Sequence, residues 1–172
     1  MPNSGAGTFR LYLVRHAHAA WGSPGVSDFD RPLDDAGRHE ARDIAEQAML
    51  AGLAPDFIVS SPAQRCRQTT SALLEVFRAV QPLEDLALYS GGPDAYFAHI
   101  RQHAERGSLM LVGHNPMIEA VAHHIARASD IVAPLAAGYP TAGMLALDIA
   151  RPLPEKLAQA GEPVALVTPS FT

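Results

Sequence analysis

Leu11-Tyr12-Leu13-Val14 runs without interruption into Arg15-His16-Ala17. Apolar residues in an unbroken row read as a strand covered on both faces, because a half-solvated strand would alternate. The change at Arg15 marks where that strand leaves the core. The same transition occurs twice more. Phe57-Ile58-Val59 ends at Ser60-Ser61-Pro62, and Leu109-Met110-Leu111-Val112 ends at Gly113-His114-Asn115-Pro116. A small polar residue followed by proline predicts a helix start, with Ser61 and Asn115 as N-caps and Pro62 and Pro116 at the first helical positions.

Apolar stripes at helical spacing follow. Cys66, Thr70, Leu73, Leu74 and Phe77 form one, and Met117, Ile118, Val121, Ala122 and Ile125 form another. Ala41, Ile44, Ala45 and Ala48 predict an earlier helix that ends at Gly52. Between Pro82 and Pro93 the pattern gives a short extended piece at Leu86 to Tyr89, then a helix near Asp94 to Ala104, and Met144 to Ile149 and Val164 to Val167 read as later strands. Alternating strands and helices with continuously apolar strands predict an α/β protein, a three-layer α/β/α sandwich around a largely parallel central sheet.

The chain has 172 residues and 48% hydrophobic composition, enough for one sizeable core, so it reads as a polar tail over residues 1–9 and a single domain over 10–172. Cys66 is its lone cysteine, which excludes an internal disulfide and a four-thiolate zinc site and fits a reducing, cytoplasmic setting. A net charge of −5 leaves no basic field for nucleic acid. The polar start does not read as a signal peptide, and the uncharged stretch Ile131 to Leu147 is broken by Pro134, Gly138, Pro140 and Gly143, so no membrane partner is expected.

In open α/β sheets, sites form beyond the carboxyl ends of the strands. That edge would gather Arg15, His16, Arg65 and His114 beside two helix N-termini, all of which favour an oxyanion such as phosphate. His16, its pKa lowered by the neighbouring Arg15, is a competent nucleophile toward phosphorus, and His114 and the arginines are placed to donate to the transferring oxygens. His18 is expected to line the same pocket. Arg67, two positions beyond Arg65 on the helix, points away and stays outside the site. His99 and His103 lack a third ligand partner and are assigned to a solvated helix face rather than to a metal, and Trp21 to loop packing or the pocket rim. No metal or other cofactor is expected.

Leu-Tyr-Leu-Val-Arg15-His16-Ala, Ser60-Ser61-Pro62-Ala-Gln-Arg65 and Val112-Gly113-His114-Asn115-Pro116 stand in the order of the histidine phosphatase superfamily motifs, which the chain resembles from about Leu11 to Ile149. Asp30-Arg31-Pro32-Leu33 with Gly37-Arg38, and Arg65-Cys66-Arg67-Gln68-Thr69, are similar to its short SixA-type phosphohistidine phosphatase branch. The resemblance implies a phosphoglycerate mutase-like fold, a phosphohistidine formed on His16, and a phosphate pocket of Arg15, Arg65 and His114. Two features depart from it. Ala17 replaces the usual glycine, and no clear glutamate proton donor lies between Leu83 and Tyr96, which leaves Glu84, Asp85 and Asp94, with Asp94 ranked first. The implied substrate is phosphohistidine in a protein, with inorganic phosphate as product. The alternatives are a small phosphomonoester, a noncatalytic phosphate-binding regulatory role, and a metal-dependent hydrolase.

Overall fold

Successive side chains of the first strand go to opposite faces of one sheet, and each face has its own core. The computed structural model describes residues 7–170. In β1 (Thr8–Arg15), Leu11 and Leu13 join one apolar cluster and Tyr12 and Val14 the other. The strand β4 (Ser108–Gly113) divides likewise, Leu109 and Leu111 from Met110 and Val112. The unbroken apolar runs are thus two buried faces read in alternation.

The first cluster is covered by α3 (Ala87–Ser90), α4 (Pro93–Gln102) and α5 (Met117–Ile125), and the second by α1 (Asp35–Leu50) and α2 (Gln64–Val76). The sheet has six strands in the order β3-β2-β4-β1-β5-β6, with β2 at Ile58–Ser60, β3 at Pro82–Glu84, β5 at Met144–Ala150 and β6 at Gly161–Val167. The strands β3, β2, β4 and β1 run parallel, while β5 and β6 are antiparallel to their neighbours. This is the expected three-layer α/β architecture with a largely parallel sheet. No helix among the described residues is long and apolar enough to cross a membrane.

Local chemistry shifts several boundaries. Thr8 and Phe9 belong to β1, with Phe9 fully buried, so the ordered strand begins inside the expected tail, whose residues 1–6 lie outside the described residues. The extended piece expected at Leu86 to Tyr89 is a helical turn instead. The Asp85 carboxylate accepts from the Ala87 N–H and starts that turn, and the extended segment lies earlier, where Pro82 opens an edge strand. Neither expected N-cap is used: α2 starts at Gln64 after Ala63 and α5 at Met117 after Pro116. The Asn115 amide donates to Glu119 instead.

His99 and His103 are buried, not solvated. They fall with Tyr96 and Ile100 on the face that α4 turns inward, at i, i+3, i+4 and i+7. His99 Nε2 meets Asp85 Oδ2 at 2.8 Å, and the two imidazoles lie parallel with centroids 5.9 Å apart. Trp21 is 86% exposed and packs in neither cluster.

Candidate active site

Strand register brings the three sequence segments together. Arg15 of β1 pairs with Gly113 of β4, and Ser60 of β2 pairs with Val112, so the strands end at one level. Backbone bonds extend the alignment by one residue, from His16 N–H to the Gly113 carbonyl (3.0 Å) and from Ser61 N–H to that of Val112 (3.0 Å). The imidazoles of His16 and His114 therefore sit 5.3 Å apart, centroid to centroid.

The ring of His16 has one committed face. Nδ1 donates to the Ala17 carbonyl at 2.7 Å, which leaves Nε2 as the nitrogen with a lone pair, and Arg65 Nε donates toward it at 3.3 Å. Burial lowers the pKa of His16 to about 3, and the positive charges of Arg65 and Arg15 act in the same direction, so the ring is neutral at physiological pH. Burial likewise takes His114 to about 4. Its Nε2 lies 2.7 Å from Ser61 Oγ, which also accepts from the Ala63 N–H. With the Ser61 hydroxyl donating, the His114 proton resides on Nδ1, a buried atom with no hydrogen-bond partner among the described residues. The expected cap serine instead orients a site histidine.

Arg15 donates through Nη1 to the Tyr139 carbonyl at 2.6 Å, and its buried Nε has no hydrogen-bond partner among the described residues. Two buried donors, Arg15 Nε and His114 Nδ1, are thus left without acceptors beside a neutral imidazole, an arrangement that an anion would complete. The position immediately before His114 also requires glycine: a Cβ on Gly113 would clash with the Tyr96 hydroxyl oxygen, which accepts the His114 N–H. Cys66 packs under the site, its Sγ 3.4 Å from His114 Nε2, and burial pushes its thiol up to about 12.

The structure adds Asp28, Phe29 and Tyr89, which the sequence reading did not single out, around Arg65. Arg65 is buried at the N-terminal turn of α2, where a positive helix end disfavours a cation unless an anion is near. Asp28 supplies that anion: Arg65 Nη2 donates to Asp28 Oδ2 (3.0 Å) and Nη1 to the Asp28 carbonyl (2.6 Å). Tyr89 donates its hydroxyl to Asp28 Oδ2 at 3.1 Å and sets its ring edge-on to His114, 5.5 Å away, and to Phe29, 5.0 Å away. The only hint in the sequence was an acidic loop preceding Arg31.

Other expected residues stand apart. His18 directs Nδ1 to Asp34 Oδ2 (2.6 Å), the cap of α1, and its N–H to Glu40, so these bonds go to none of Arg15, His16, Arg65 and His114. Asp94 is exposed in the first turn of α4 and shares no hydrogen bond with them. Arg67 pairs with Glu84 on the surface, as expected. Among the described residues no group of three or more His, Cys, Asp or Glu side chains is arranged to hold a metal ion.

The chain is similar to known proteins in sequence and fold. The profile of the histidine phosphatase superfamily (branch 1) covers residues 11–92, which contain Arg15, His16 and Arg65. The crystal structure of SixA from Agrobacterium tumefaciens superposes with a TM-score of 0.82 at 38% identity, over 95% of this chain and 99% of that one. This chain belongs to the histidine phosphatase superfamily, in its SixA-type group of phosphohydrolases. An uncharacterized protein of Mycobacterium tuberculosis is 32% identical over 80% of this chain and 87% of its own length. A chloroplast protein of Arabidopsis thaliana is 39% identical over 64 residues, only 29% of its length. In this histidine phosphatase Ala17, which stands where the usual glycine would, is fully buried and donates its N–H to Thr69 Oγ1 of α2.

Proposed function

We propose that this histidine phosphatase removes phosphoryl groups by way of a phosphohistidine on His16, and that its substrates are phosphohistidine side chains of proteins. The carrying observation is the His16 ring: Nδ1 is tied to the Ala17 carbonyl, and Nε2 is neutral and flanked by Arg65. Nε2 attacks phosphorus, Arg15 Nε, Arg65 and His114 Nδ1 take the oxygens as charge builds, and water then releases inorganic phosphate from His16. A groove of about 640 Å³ lined in part by Ala36, His39, Glu40 and Pro169 contains none of these residues.

The test compares phosphate release by wild type and His16→Ala with EDTA in excess, on an aryl phosphate and on a phosphohistidine-bearing protein. The expected result is chelator-resistant turnover by wild type alone, higher on the phosphohistidine protein. Equal rates in the two proteins would remove His16 from the mechanism.

A further inference from the structure

The guanidinium that a phosphoryl group needs already holds a carboxylate. Asp28 engages two nitrogens of Arg65, receives the Tyr89 hydroxyl on Oδ2 and binds Arg31 Nη1 through Oδ1 at 2.9 Å. Arg65 is buried and contacts the nucleophilic Nε2, whereas the Asp28 side chain is 54% exposed, so the order from interior to solvent is imidazole, guanidinium, carboxylate. Phe29 and Tyr89 meet edge to face beside that carboxylate and form an aromatic wall at the mouth.

We propose that Asp28 is a specificity-determining residue: it competes with phosphoryl oxygens for Arg65 and, once displaced, faces the leaving group, where it favours a flat cation over an alkoxide. The proposal deepens the reading given above and rests on it. Burial pushes the Asp28 carboxyl up, but hydrogen bonds from Arg31, Arg65 and Tyr89 and the charge of Arg65 outweigh it and take the carboxyl down to about 2, so it is ionised whenever the nucleophile is neutral and has no proton to give an alcohol. A carboxylate repels a developing alkoxide. It attracts a phosphohistidine ring whose second nitrogen has taken a proton from solvent, and the aromatic wall accepts the flat face of such a ring.

In that step the lone pair of His16 Nε2 forms a bond to phosphorus while the P–N bond of the substrate breaks. The electron pair returns to the substrate ring, which leaves as neutral imidazole and keeps its solvent-derived proton on the other nitrogen. Water then breaks the His16–phosphorus bond, with one proton released to solvent. Arg31 keeps hold of Asp28 Oδ1 throughout, so the loop need not detach when Arg65 changes partner.

Asp28→Asn tests this, because it removes the charge and keeps the shape on an exposed loop. The readouts are kcat/KM on free phosphohistidine and on p-nitrophenyl phosphate, together with Ki for inorganic phosphate. The expected outcome is a loss of about 10-fold or more on phosphohistidine, a lower KM for the aryl phosphate and a lower Ki for phosphate as Arg65 is freed. An unchanged ratio between the two substrates, or an unchanged phosphate Ki, overturns the proposal. Wild type that hydrolyses the aryl phosphate but not phosphohistidine defeats the substrate reading, while the phosphate Ki still decides whether Asp28 competes for Arg65.

Discussion

Ser61→Ala isolates the hydroxyl that sets the His114 tautomer. In the native site Ser61 Oγ stands 2.7 Å from His114 Nε2, inside a site where both residues are buried. After truncation the nearest donor to Nε2 is the Cys66 thiol, a weak donor at 3.4 Å. A buried acceptor left without its partner costs about 1–3 kcal/mol. If that loss falls on the orientation of Nδ1 in the transition state, kcat drops about 5- to 150-fold, because each 1.36 kcal/mol is a factor of ten. KM should move much less, since Arg15 and Arg65 still bind the anion in the ground state. Thermal unfolding should fall by roughly 2–4 °C per kcal/mol for a domain of this size. Steady-state kinetics on an aryl phosphate, differential scanning calorimetry, and 15N chemical shifts of the His114 ring read these effects separately. A variant that melts earlier yet keeps wild-type kcat and an unchanged His114 tautomer would refute the assignment and leave Ser61 a packing residue.

Two further expectations follow from the same geometry. His16 and His114 titrate near 3 and 4 in the fold against an ordinary value of 6.5. Because both are depressed, their contribution is complete above about 6.5 and is lost as pH falls toward 3, by up to about 1.4 kcal/mol per ring per pH unit. Urea unfolding between pH 7 and 4.5 should show this slope, reduced in His16→Gln; an equal slope in that variant would count against burial of a neutral His16. Gly113→Ala should destabilise by about 1–3 kcal/mol, since its Cβ would clash with the Tyr96 hydroxyl oxygen. Adding Tyr96→Phe should restore only part of the melting temperature, as Cζ of that ring remains 2.8 Å away; full tolerance of the single change would show that the strand end can shift.

Much was legible because the chain repeats one local pattern. Each apolar run that stops at a polar pair, at Arg15, Ser60 and Gly113, is a strand whose end reaches the site, and the alternation of strands and helices was enough for the layers. The two antiparallel strands were not legible, since β5 and β6 are apolar runs like the others and pairing direction leaves no mark on composition. His99 and His103 were placed in solvent because a histidine at i, i+4 looks the same on either helix face, and only the docking of α4 shows which face is covered. Ser61 and Asn115 had the form of caps, yet a partner distant in sequence took Ser61's hydroxyl.

The sequence by itself determined the α/β class and the gathering of Arg15, His16, Arg65 and His114 at one edge, because these depend on local periodicity and on where strands end. Only the tertiary structure decided which nitrogen of each imidazole is free, that Arg65 already holds Asp28, and that Tyr89 closes the site's side. Apart from the His16 tautomer, which its neighbour Ala17 sets, these details rest on hydrogen bonds between residues 37, 53 and 61 positions apart, and a contact between distant segments has no local signature in the chain.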